Sequence, residues 1–414
     1  MKAKKTKQKS DKIYKVLKAL AVILILFLII EVIYFGFKFY NIRKNTVYYE
    51  TANSIIKTDN GYLTVGLSDF KNSKLTTYEK PGYNKAVISI YDENLNKIKE
   101  TKLKLGYSSV YNSVISVKDG YIAVGSVSIT KEQNDVNNTE AIIVKYDKDL
   151  NEVWIKNLQI LDTSKFVNVK EDDNGNIIVV GQSIYEENII GNHTTGGAIL
   201  IRYTSDGEVD LKINLGGPAT DIFNDFIITK NGYIAVGIKS TGTGIIYKYD
   251  FNGKELWHEY YGYTDKEGLT SITSKGDNFL VTATKLEEKG STDKYKAAIL
   301  LYDKDGKLLK EKFFEEANIT KFQKVAIDEE KIIVLGIYGK KINEALSSNA
   351  KMFLLDSDFK VIKSEILTGD QNITLTDIVI TDNDYILSGH TNSKIKEFNS
   401  NGYDYFPILK KYKK

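Results

Sequence analysis

Residues 232–257 read GYIAVGIKSTGTGIIYKYDFNGKELW and contain the unit from which most of the chain is built. An apolar strand closes on Val236-Gly237, a polar loop follows, and a second apolar strand closes on Tyr249-Asp250 before an Asn-Gly turn opens the next strand. The same order recurs as GYLTVG with AVISIYDENLN, GYIAVG with AIIVKYDKDLN, GNIIVVG with AILIRYTSDG, NFLVTA with AAILLYDKDG, KIIVLG with MFLLDSDFK, and DYILSG with PILKKYKK. In register, Gly66, Gly125, Gly181, Gly237, Ala283, Gly336 and Gly389 share one position, at spacings of 59, 56, 56, 46, 53 and 53 residues. A period of that length holds four short strands, here A to D, which is one propeller blade. The expected fold is therefore all-β, a seven-bladed β-propeller over residues 46–414.

Composition narrows the chemistry. With 414 residues and no cysteine, the chain excludes a disulfide framework, a thiolate metal site and a cysteine nucleophile. His193, His258 and His390 are too few and too scattered for a metal cluster, and are expected as solvated loop or strand residues. No cofactor or metal is expected. The net charge of +3 divides unevenly: residues 1–44 hold eleven Lys or Arg against Asp11 and Glu31, giving +9 and leaving −6 for the remainder. An acidic propeller argues against a nucleic-acid surface.

Residues 19–37, ALAVILILFLIIEVIYFGF, contain one charge and are long enough to cross a bilayer as a helix. Eight lysines precede this stretch and three basic residues follow it. The positive-inside rule then puts the amino terminus in the cytoplasm and the propeller outside. A long apolar run with no small-x-small cleavage site favours an uncleaved signal anchor over a removed signal peptide. The expected organisation is a basic tail at 1–18, a transmembrane helix at 19–40, a linker at 41–45 and the ectodomain at 46–414. Glu31 has two readings: an intramembrane pairing residue, or a side chain that snorkels outward at modest cost.

In the last unit, residues 407–414 align with strand C and nothing aligns with strand D. Residues 46–50, TVYYE, form an unassigned extended segment ahead of the first strand A. The expectation is that this segment supplies the absent strand D and closes the ring. Loops B to C and D to A then share one face, opposite the tight turns. An extended linker of about eight residues, reaching roughly 28 Å, would hold the tight-turn face near the bilayer.

The outward loops, at 67–85, 127–139, 182–197, 238–244, 284–296, 337–351 and 390–404, carry most of the variation and are the expected binding surface. At the entrance to strand A, six of seven units place a polar residue: Asn53, Asn112, Asn224, Thr270, Gln323 and Thr376. The third unit has Val167, or Asn168 if the register slips. An amide-rich ring at the channel mouth suits hydroxyl or peptide groups, since an amide offers donor and acceptor. The same side chains are equally suited to satisfying backbone groups where loop becomes strand. Asp225 and Asp377, each following a ring member, are candidate channel-side acids for a glycosidase-like pair. Asp92, Asp147, Asp250, Asp303 and Asp356 are hairpin residues on the opposite face. There is no phosphate-cradling glycine loop, HExxH or G-x-S-x-G elbow.

The stretch GIIYKYDFNGKELW, ending at Trp257, resembles the secreted bacterial β-propeller repeats called SBBP, and its turn looks like the tryptophan-docking turn of quinoprotein propellers. Trp154 and Trp257 keep the tryptophan; the other units do not. The resemblance spans about residues 46–414 and implies an extracellular surface domain whose ligand differs from member to member. The leading expectation is a membrane-anchored propeller binding an envelope or extracellular protein or glycan. The alternatives are an enzyme acting on an envelope polysaccharide, and an assembly factor working through its membrane helix.

Overall fold

A computed structural model of the chain describes all residues except 1, 74–83, 107, 129–138, 159–162, 188–192, 217–220, 263–267, 289–293, 343–344, 396 and 398–403. It divides into two compact units, 1–47 with 71–81, and 48–70 with 82–414. The first is dominated by one helix, α1 (Lys2–Asn45). Within α1, Tyr14–Phe35 is a 22-residue stretch of mean hydropathy 3.0, long and apolar enough to cross a membrane. Glu31 falls four residues before its end. The expected linker at 41–45 is helical, so those residues rise only about 1.5 Å each.

The second unit is a seven-bladed propeller. Blade one comprises β1 (Thr46–Glu50), β2 (Ser54–Thr58), β3 (Gly61–Ser73), β4 (Lys85–Tyr91) and β5 (Lys97–Lys102). Blade two comprises β6 (Ser108–Val117), β7 (Gly120–Ser128), β8 (Thr139–Asp147) and β9 (Glu152–Leu158). Blade three comprises β10 (Thr163–Glu171), β11 (Ile177–Glu187), β12 (His193–Tyr203) and β13 (Val209–Asn214). Blade four comprises β14 (Ile222–Thr229), β15 (Gly232–Ile238), β16 (Gly244–Tyr249) and β17 (Glu255–Tyr261). Blade five comprises β18 (Gly268–Lys275), β19 (Asn278–Glu288), β20 (Lys294–Tyr302) and β21 (Leu308–Phe314). Blade six comprises β22 (Ile319–Asp328), β23 (Lys331–Ile342), β24 (Ala345–Leu355) and β25 (Val361–Leu367). Blade seven comprises β26 (Ile373–Ile380), β27 (Asp384–Thr391) and β28 (Phe406–Lys413).

Middle strands B and C read as continuous apolar runs because both faces of each blade are covered by a neighbour. The core is accordingly seven separate layers, one between each pair of blades. Ile122, Val124 and Ile143 of blade two pack on Phe166, Val179 and Ile201 of blade three. Between blades seven and one the layer contains Ile55, Tyr62, Tyr91, Val379 and Ile386. In blades three, five and six, strands B and C reach further outward than expected, with ladders to Glu187↔His193, Glu288↔Lys294 and Ile342↔Ala345.

The ring closes differently from the expectation. The seventh sheet has three strands among the described residues, and β1 pairs with β3. The segment 46–50 is therefore the first half of blade one's inner strand, separated from β2 by an interruption at 51–53. Nothing in TVYYE distinguishes an inner strand from an outer one, which is why the sequence misleads here. The amino-terminal segment still joins the two ends. Glu50 N donates to Tyr405 O (3.0 Å), Ala52 N to Gly389 O (3.4 Å), and the Tyr49 and Tyr405 rings stack at 4.2 Å.

Outer strands lock neighbouring blades. Trp154 lies over the C–D turn glycine of the next blade, Gly207, and Trp257 over Gly306, where an added Cβ would come within 3.2 and 3.0 Å of the ring. Where the turn instead carries Leu150 or Phe359, the preceding blade presents Lys99 or Lys310, bonded to Asp149 O (2.5 Å) and to Asp358 (2.9 Å). This turn position has positive φ throughout, 59° at Leu150, 82° at Gly207, 89° at Gly306 and 64° at Phe359.

Candidate functional site

The repeat glycine and the polar ring residue are two halves of one device. In six blades the A–B register skips one residue, between Tyr111/Ser113, Phe166/Asn168, Phe223/Asp225, Leu269/Ser271, Phe322/Lys324 and Leu375/Asp377. The skipped residues are Asn112, Val167, Asn224, Thr270, Gln323 and Thr376, each an extra residue in a β-bulge. In blade one, Thr51 N to Leu67 O (2.9 Å) and Asn53 N to Val65 O (2.7 Å) bracket Gly66 in the same way. The bulge turns a strand-A carbonyl toward strand B. A Cβ on Gly125 would lie 1.9 Å from Val110 O, and one on Gly237 1.9 Å from Ile222 O. Glycine recurs because the bulge leaves no room for a side chain.

All seven bulge positions line a single cavity of about 270 Å³ at the mouth of the central channel. The expected ring therefore exists, and its third-blade position is Val167 rather than Asn168. Five of its side chains already donate hydrogen bonds. Asn53 Nδ2 donates to Tyr111 O (2.8 Å), Asn112 to Phe166 O (2.6 Å) and Asn224 to Leu269 O (2.8 Å). The hydroxyls of Thr270 and Thr376 donate to Phe322 O (2.9 Å) and Ala52 O (2.7 Å). Every acceptor is the carbonyl just before the next blade's bulged residue. These side chains staple blade to blade and satisfy carbonyls freed by the bulges. What the amides still offer a ligand is their oxygens and the second N–H of each Nδ2.

The next residue along each strand forms a second, more charged tier: Ser54, Ser113, Asn168, Asp225, Ser271, Lys324 and Asp377. Asp225 Oδ1 accepts from Asn168 Nδ2 (2.7 Å) and Phe226 N (2.8 Å), while Oδ2 accepts from Ser271 Oγ (2.8 Å) and Ile272 N (3.1 Å). Asp377 Oδ2 accepts from Ser54 Oγ (2.8 Å) and Ile55 N (3.1 Å), the same arrangement at the junction of blades seven and one. Lys170 stands 3.4 Å from Asp225, and Lys324 3.2 Å from Asp377.

The charge states follow from these contacts. Burial disfavours the Asp225 carboxylate, yet Lys170 and Lys324 with the donors from Ile272 and Ser271 hold it below the ordinary range. Burial likewise opposes charge on Lys324, and the Asp377 and Asp225 carboxylates outweigh it, raising the ammonium above the usual lysine range. Burial dominates at Lys170 and lowers it. A glycosidase general acid needs a raised carboxyl, so Asp225 is poorly suited to proton donation. Ser54, Ser113, Lys170, Ser271 and Lys324 escape the sequence reading, although polar residues at two successive positions of an otherwise alternating strand mark most of them.

The other candidates lie elsewhere. Asp92, Asp147, Asp250, Asp303 and Asp356 accept from backbone N–H groups two and four residues on, the expected hairpin role. His258 is an exposed strand residue bonded to Glu255 (2.7 Å). His390 departs from expectation: its Nδ1 is buried with no partner among the described groups, and burial lowers its pKa to about 4. No cluster of three or more His, Asp or Glu suited to a metal occurs among the described residues. The side chain of His193 lies outside the described ones.

No family model matches the chain, and no curated protein does. Among solved structures, it is similar to the lignostilbene dioxygenase of Pseudomonas brassicacearum, at 9% identity and a TM-score of 0.51, over 89% of both chains. It is also similar to the β-propeller domain of the trilobed protease of Pyrococcus furiosus (10% identity, TM-score 0.47, 89% of this chain and 95% of that one). A third is the Nup133 β-propeller domain of Vanderwaltozyma polyspora (8% identity, TM-score 0.45, 86% and 99%). At such identities the likeness concerns the fold alone.

Proposed function

We propose that this protein is a membrane-anchored, extracellular propeller that binds a polar group of an envelope or extracellular protein or glycan at the bulge-lined channel mouth. The observation that carries this reading is the convergence of all seven blades on one cavity of about 270 Å³. Its amide oxygens, hydroxyls, two carboxylates and Lys324 are fixed by inter-blade hydrogen bonds, and a rigid polar concavity binds with little ordering cost. The charges of Lys170, Asp225, Lys324 and Asp377 cancel, which favours a neutral, hydroxyl- or amide-bearing group over an ion. Eight lysines before the apolar stretch support an inward amino terminus. The bilayer is then the partner of residues 19–40.

Val167 provides the test, because it lines the cavity without a hydrogen-bonding side chain. Full chain in detergent is titrated with fractionated envelope polysaccharide and protein, alongside Val167→Trp, which fills the mouth and leaves every staple in place. Saturable binding lost in the variant supports the proposal. Binding indifferent to Val167→Trp, or no binding to either class, refutes it.

A further inference from the structure

Strand C carries a basic residue at the same position in blades two, three and four, two places before the turn: Lys145, Arg202 and Lys248. Lys145 pairs with Asp119 of its own A–B turn at 2.9 Å, and Arg202 with Asp210 of its own strand D at 2.6 Å. In blade four the counterparts of those two acids are Asn231 and Leu256. Lys248 keeps the charge and loses both counter-ions. It is 6% exposed, and its Nζ donates to Lys304 O at 3.2 Å and stands 5.9 Å from the Trp257 ring centroid. Among the described residues no carboxylate lies within ion-pair distance of it. Lys411 occupies the equivalent place in blade seven and also meets a turn carbonyl, Glu93 O at 2.7 Å, but it is half-exposed and water can solvate it.

Lys248 lines a cleft of about 390 Å³ between blades four and five, on the tight-turn side and away from the channel mouth. Its floor is apolar, with Ile227, Ile234 and Phe279, and its walls carry Thr229, Asn231, Ser274 and Asn278. The acids at the rim are engaged by other lysines: Asp277 by Lys230 at 3.6 Å, and Asp305 by Lys304 at 2.6 Å. Burial lowers the Lys248 ammonium from its ordinary range, with Asp305 opposing and Lys304 reinforcing that shift. A buried cation without a counter-ion is costly, and an anion entering the cleft removes the cost.

We propose that this cleft is a small-oxyanion site, in which a carboxylate or phosphate group takes the place beside Lys248 that Asp119 takes beside Lys145. The Asn231 Nδ2 and the Ser274 hydroxyl supply further donors, while the Thr229 hydroxyl is engaged by Asn231 Oδ1 and Gly232 O and holds the turn, and the apolar floor accommodates a short hydrocarbon portion. A charge-assisted hydrogen bond of this kind accounts for about a tenfold or greater part of the affinity.

The test is calorimetric titration of the full chain in neutral detergent with inorganic phosphate and, separately, with acetate, at ionic strength balanced by chloride. The two arms distinguish the anion classes, and saturable binding of either is expected. Asn231→Asp rebuilds the blade-two ion pair inside the cleft and should weaken binding at least about tenfold, as should Lys248→Met. Asp305→Asn should leave it intact or strengthen it. The proposal fails if wild type shows no saturable binding, or if binding survives both Asn231→Asp and Lys248→Met. Binding that appears only in Asp305→Asn would also overturn it, by making Asp305 the counter-ion.

Discussion

The contact between Trp257 and Gly306 offers a quantitative check on how blades lock. The ring touches the turn so closely that a Cβ on Gly306 would sit 3.0 to 3.1 Å from Cζ3, Cε3 and Cη2. One blade further on, the arrangement is inverted: Lys310 meets a turn whose equivalent residue is the fully buried Phe359. Trp over Gly and Lys over Phe are thus two fillings of one space. Gly306→Phe alone should cost about 1–2 kcal/mol for an L-residue at φ 89° and about 1–3 for overpacking against Trp257. Trp257→Lys alone should cost about 2 kcal/mol, below the 3–5 of a full core truncation because Trp257 is half-buried. Summed, the single changes cost about 5 kcal/mol. The double variant recreates the Lys310–Phe359 filling and retains mainly the backbone strain, about 2 kcal/mol, so the coupling is about 3.

Urea denaturation of the full chain in detergent, followed by far-ultraviolet circular dichroism, measures all four corners of this cycle. The midpoints should show the double variant more stable than Gly306→Phe alone, with an unchanged slope across the set. Additivity within about 0.5 kcal/mol would refute the reciprocal-filling account and make each contact local.

Two further expectations concern the channel. Asp225 is held below its ordinary pKa when folded, so its stabilising contribution is complete above the unfolded value near 3.9 and disappears as pH falls through the folded one. Thermal denaturation between about pH 5 and 2 should show this acid-side loss in wild type, and Asp225→Asn should be less stable at neutral pH with a flatter acid limb. At the bulges, Gly237→Ala drives a Cβ to within 1.9 Å of Ile222 O and should cost several kcal/mol, whereas Gly336→Ala, with 3.0 Å to Lys321 O and 2.8 Å to a Phe322 ring atom, should cost markedly less. Equal melting temperatures for the two variants would count against backbone collision as the reason for the repeat glycine.

Much of this architecture is legible in the sequence because one steric requirement recurs. A bulged inner strand demands a residue without Cβ opposite it, and Gly66, Gly125, Gly181, Gly237, Gly336 and Gly389 report that demand at blade-length intervals. Ala283 occupies the same position opposite Leu269, so the signal is strong without being absolute. The membership of the channel ring is legible for the same reason, since the polar residue sits at the bulge. Its role is not, because an amide that faces a ligand and one that reaches the next blade's carbonyl have the same sequence. Only the neighbouring blade's register distinguishes them. The assignment of 46–50 fails for a related cause: pairing with β3 or with β28 depends on where the chain enters the ring. Lys248 is hidden for a third reason, as its distinctive property is the loss of partners at 231 and 256, visible only when blades are superimposed in space.

The two tiers of the channel differ in symmetry, and that difference bears on function. The bulge tier repeats nearly around the ring, five of its seven side chains closing on the next blade's carbonyl, which accounts for Asn or Thr at those positions without invoking a ligand. The second tier does not repeat. Its charges, with Lys170 two residues beyond Asn168, fall in two Lys–Asp pairs, Lys170 with Asp225 across blades three and four, and Lys324 with Asp377 across blades six and seven. A ring that needed only inter-blade hydrogen bonds is served by neutral groups, as where Ser113 Oγ donates to Asn168 Oδ1. Placing paired charges on two of seven junctions adds desolvation cost that serine avoids. What the pairs add is direction, a fixed pattern of donor and acceptor potential across the cavity, which suits the asymmetric polar group of the proposed function. On the proposed binding reading, specificity at this mouth resides in the departures from seven-fold repetition, Val167, Gln323 and the two ion pairs, while the repeat itself supplies the rigidity that makes those departures effective.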